Sequence, residues 1–82
     1  MEITAREYKI KKAEARLHAA DLRVIAAHQR DDAQRYYRQA SHPAYEGQIE
    51  RCIGKGKKAE AIAAENEAKA DLIEAQTDTA EL

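Results

Sequence analysis

From Glu2 to Ala40 the chain contains neither glycine nor proline, and its apolar residues there fall on a seven-residue repeat. Ile10, Leu17 and Val24 recur every seven positions, and Ala13, Ala20 and Ala27 follow each of them by three. That three-four alternation is the seam of a coiled coil, and no strand with its two-residue period accommodates it. Large residues alternate with small ones along it, which suits close antiparallel packing against a second helix. The start is well marked. Thr4 is a capping residue, Glu7 stands where a capping box needs it, and Ile3 and Tyr8 occupy the hydrophobic-staple positions. A helix over about 5–40 is predicted.

The helix stops at Ser41, His42 and Pro43. A residue before proline is pushed out of the helical region, and proline is at home in the first turn of the next helix. A turn is therefore expected over 41–43. Beyond it Tyr45, Ile49, Cys52, Gly56, Ala59, Ala63, Asn66, Ala70, Ile73 and Thr77 form a second stripe with the same alternation. Gly54 and Gly56 each cost a helix interior about 1 kcal/mol relative to alanine. A kink or break is expected at 54–56, dividing the second arm into helices over about 43–53 and 57–77, with a frayed C-terminus. The fold class is all-α, a single domain built as an antiparallel helical hairpin or coiled coil.

Charge supports that pairing. Residues 1–40 carry nine basic and six acidic groups, whereas 60–82 carry Lys69 against seven acids. Overall, fourteen basic and fifteen acidic residues leave a net charge of −1, so the charges decorate helices and do not drive the chain apart. The core is thin. Leucine, isoleucine and valine number twelve, and phenylalanine and tryptophan are absent. A chain this short buries too little surface to be comfortable alone, so a homo-oligomer, a dimer or higher helical bundle, is expected. The same seams serve a hairpin closed within one chain and one that swaps arms with another.

Little in the sequence carries chemistry. The single Cys52 precludes an intrachain disulfide and is read as a small core residue. His28 and Asp32 lie one helical turn apart, but His18, His42 and Cys52 do not complete a zinc-like set, so no metal is expected. Gly54, Lys55, Gly56, Lys57 and Lys58 lack the leading glycine, the serine or threonine and the preceding strand of a phosphate-binding loop. No cofactor and no enzymatic activity are expected. With no apolar run long enough for a membrane span and a charged start, a cytoplasmic location is expected.

The most suggestive cluster lies at the turn end. Arg30, Arg35, Arg38, Arg51, Lys55, Lys57 and Lys58 gather there with Tyr36, Tyr37 and Tyr45, three positive charges in excess of the four local acids. Guanidinium forks bind phosphate and tyrosine rings stack on bases, so these ten residues are candidates for binding a partner protein or an anion, namely nucleic acid or a nucleotide. The bland alternative is a solvated turn whose tyrosines close the core. Tyr8 with Lys9, Lys11, Lys12 and Arg16 is read as helix staple and solvated face. Asn66 either fixes the register through a polar partner or reaches water. The function expected is that of a non-enzymatic protein–protein interaction module, such as a small adaptor or a phage-type inhibitor blocking a surface of a host protein. The alternative is an anion binder using the turn end.

Overall fold

A computed structural model describes residues 4–79, and the side chains of 4–77. Helix α1 spans Ala5–Ala40, a short 3-10 helix spans Pro43–Gln48, and α2 spans Ile49–Thr79. The two long helices pack antiparallel as a hairpin, and no strand occurs among the described residues. The molecule is a rod of 62 × 17 × 13 Å with a radius of gyration of 18.7 Å, against about 12 Å for a compact chain of this length. No helix among the described residues is long and apolar enough to cross a membrane.

The ends follow local chemistry. Thr4 is extended and its Oγ1 accepts from the Glu7 backbone N–H at 3.2 Å, as the capping residue predicted. The staple partner Ile3 lies outside the described residues. Ser41 closes α1 with its N–H on the Arg38 carbonyl. His42 is extended, with φ −88° and ψ 134°, as a residue before proline must be. Its Nδ1 accepts from the Ala44 N–H at 3.0 Å, so His42 caps the 3-10 helix that Pro43 opens. The turn thus lies where the sequence placed it, with a helical connection added.

Two expectations fail. The predicted break at 54–56 is absent: α2 runs unbroken through Gly54 and Gly56, and the irregular backbone is instead at Tyr45, with φ −109° and ψ 19°. Gly56 faces α1, and a Cβ there would lie 2.5 Å from Tyr37 Cε1, so any side chain at this position would have to displace the Tyr37 ring. The helix tolerates its cost because the Tyr37 ring occupies the space released. The end of the chain expected to fray lies beyond Thr79, outside the described residues.

The second failure concerns which face of α1 meets α2. The Ile10–Leu17–Val24 seam does not: these residues are 50%, 64% and 56% exposed, and Ala13, Ala20 and Ala27 are exposed beside them. The packed face carries Ala19, Ala26 and Ala33, all buried, with Ala15, Leu22 and Gln29 half-buried between them. Opposite stand Cys52, Gly56, Ala63, Ala70 and Thr77, so the second-arm stripe packs as read from Cys52 onward, with Cys52 a small buried seam residue, while Ile49 at its start is exposed. The physical reason is size and charge together. Small residues facing small residues favour the short end of the usual range of about 8–10 Å between helix axes, and larger side chains the long end. The same rotation brings Arg23 and Arg30 to the acids of α2.

Those acids fix the pairing. Arg23 Nε donates to Glu74 Oε1 at 3.0 Å and its Nη2 to Glu74 Oε2 at 2.8 Å, a two-pronged contact, while Nη2 also reaches Asp71 Oδ1 at 2.6 Å. One heptad on, Arg30 Nε donates to Glu67 Oε1 at 2.6 Å. Between them Asn66 Nδ2 donates to Gln29 Oε1 at 2.9 Å in a partly buried position. Asn66 therefore has a polar seam partner on α1.

Candidate functional site

Two surfaces merit comparison, the basic turn end and the outer face of α1. The ten turn-end candidates do not assemble into one site. Arg30 is tied to Glu67. Tyr37 turns into the helix interface against Gly56, where its hydroxyl bonds Glu60; burial first, and then that carboxylate, push its phenol above the ordinary value. Tyr36, its neighbour, points elsewhere, because adjacent helical residues diverge by about 100°. Its ring is flanked by Arg35 Cζ at 5.8 Å and Lys55 Nζ at 5.7 Å, two cation–π contacts. The contacts join α1 to α2 through the Tyr36 ring.

Arg35, Arg38 and Tyr45 come together with Gln39 and His42 around an open cleft of about 260 Å³. Arg35 is partnered there by Asp32 at 3.1 Å, and Arg38 lies in the last turn of α1, where a cation complements the carbonyl end of the helix. Tyr45 meets the His42 ring edge-on, with centroids 6.3 Å apart. Arg51 lies across the connection, sharing a hollow with Glu46 and Glu50 that cancels its sign. Lys57 and Lys58 are exposed on α2. The turn end is thus basic and open, but its groups are spread around two helices. No group of three metal-ligating side chains occurs among the described residues.

The outer face of α1 is more coherent. Ile10, Leu17 and Val24 stand in line on one helix, half or more exposed, with Ala13, Ala20 and Ala27 between them and Ile25 alongside. Near its N-terminal end Arg6, Lys9, Ile10 and Ala13 border an open hollow. This face stands out against the core beneath it, because no leucine, isoleucine or valine among the described residues is buried, and the buried apolar residues are five alanines and Cys52. The hairpin hides small side chains and displays most of its large aliphatic ones, with Leu22, Ile53 and Ile73 half-buried. The heptad marks Ile10, Leu17 and Val24 in the sequence, but as the seam between the two arms, closed within one chain or swapped with another. None of the protein families, curated proteins or solved structures compared with the chain matches it.

Proposed function

We propose that this chain is a non-enzymatic helical interaction module that acts by presenting the outer face of α1 to a protein partner. One observation carries the reading: a regular seam of Ile10, Leu17 and Val24 is left at least half exposed while the core is built from alanine. An exposed apolar face of this regularity marks an interaction surface, since scattered single residues, not heptads, are the norm on monomers. Helix-in-groove and coiled-coil recognition both read such anchors. Self-association in a helical bundle, action as a small adaptor or inhibitor on a host protein surface, and a cytoplasmic setting all belong to this reading.

The test is affinity capture from host extract with the wild-type chain and with Leu17→Glu, with circular dichroism to confirm that both are helical. A protein retained by the wild type and lost with Leu17→Glu supports the reading. Equal retention by both sinks it.

A second reading, an anion binder, is favoured by the Arg35–Arg38–Tyr45 cleft. It expects nucleic-acid binding that weakens steeply with salt and is lost in an Arg35→Ala, Arg38→Ala double variant.

A further inference from the structure

The outer face of α1 lies roughly 150° around the helix from the face that packs on α2, taking about 100° per residue. A body docked on it therefore touches α1 without displacing α2. Charged columns flank the seam. The positions just before the large residues hold Lys9, Arg16 and Arg23, and those just after Ala13 and Ala20 hold Glu14 and Asp21. In a parallel two-stranded coiled coil the first column of one helix meets the second column of its mate. In an antiparallel pair each column meets its own kind. Parallel mates thus set Lys9 against Glu14 of a second copy, whereas antiparallel mates set basic residues against basic and acidic against acidic.

We infer that a second copy of this chain covers the outer face, the two α1 helices running parallel from Ile10 to Ala27 with each α2 on the outside. The inference rests on the interaction reading and names the partner. Arg23 keeps Glu74 and Asp71 of its own chain. Asp31 takes the next large-residue position and would face its twin, which ends the interface after Ala27. The seam is about 27 Å long at 1.5 Å per residue, with alanine at every second position, so assembly is concentration-dependent. The flanking charges select orientation more than they supply affinity.

Sedimentation equilibrium from micromolar to millimolar protein tests the partner. The mass should rise from 9.2 kDa towards twice that value. Leu17→Glu should hold it at the monomer, while Lys58→Glu on α2 should leave the rise intact. Orientation is read in a Cys52→Ala background from Ala13→Cys and Ala27→Cys, oxidised separately and mixed. Parallel chains link each variant to itself, and the mixture gives no preferential mixed disulfide. A wild type that remains monomeric throughout, or mixed disulfides formed in preference to like pairs, overturns the inference. A monomeric wild type that still loses a different captured protein on Leu17→Glu overturns only the second copy and leaves the interaction reading standing.

Discussion

The Tyr37 ring occupies the space that a side chain at position 56 would need: a Cβ on Gly56 would fall 2.5 Å from Tyr37 Cε1 and 2.8 Å from Cζ. Gly54, two residues earlier in the same helix, has nothing within 4 Å of the equivalent point. Similar substitutions at the two glycines should therefore have opposite signs. Gly54→Ala gains helix propensity and should stabilise the chain by up to about 1 kcal/mol. Gly56→Ala gains the same propensity but must displace the tyrosine, and should be net destabilising. Urea denaturation followed by circular dichroism compares them, and equal stabilisation by both would show that the helices do not pack in this register.

Gln29 and Asn66 form the polar contact within an otherwise apolar stretch of seam. Asn66→Leu leaves the Gln29 amide partly buried without its partner, at about 1 kcal/mol. Replacing both by leucine should recover that loss and more, because two apolar groups then meet. The cost is specificity: the double variant should populate additional oligomeric species by native mass spectrometry, since a polar seam pair penalises other registers.

How much of this was legible in the sequence depends on how many stripes a helix carries. On α2 the residues from Cys52 to Thr77 offer one coherent stripe, and it packs as expected. On α1 two heptads are superimposed. Hydrophobicity favours Ile10–Leu17–Val24, whereas the fold uses Ala19–Ala26–Ala33, because close approach rewards small size over apolar bulk. A signal was present: Arg23 and Arg30 are seven apart, and so are Glu67 and Glu74, a match that rotates α1 to its observed face. At the turn end the candidates separate for a simpler reason. Tyr36 and Tyr37 are neighbours in sequence and therefore point in different directions, one to a cation stack and one to the interface.

The Arg23 contact gives the hairpin an acid-sensitive component. Its hydrogen bonds, followed by its charge, hold the Glu74 carboxyl below the ordinary value of 4.5. A depressed carboxylate contributes stability above the unfolded value and loses it as pH falls through the folded one. Glu74→Gln should therefore lower Tm relative to wild type at neutral pH, with the difference shrinking below pH 4.5. Both groups are partly exposed, so salt should shrink it as well. Thermal melts at two pH values and two salt concentrations check this.

Tyr37 acts at the opposite extreme. Its folded phenol is raised above 10.0, so it favours the native state fully below that pH and loses the contribution as pH rises through the folded value, where the unfolded chain ionises first. Tyr37→Phe should flatten the alkaline fall in stability, and tyrosinate absorbance of the wild type should show one late-titrating component that the variant lacks.

The central claim is that alanine holds the hairpin together while the Ile10–Leu17–Val24 seam faces outward, and one paired comparison tests it directly. Circular dichroism melts of Leu17→Asp and Ala26→Asp place the same charge on opposite faces of α1. Leu17→Asp should keep its helix content and a cooperative melt, because Leu17 is 64% exposed, whereas Ala26→Asp should unfold, because Ala26 is 1% exposed against α2. An unfolded Leu17→Asp beside a folded Ala26→Asp would show that the Ile10–Leu17–Val24 seam closes the hairpin after all.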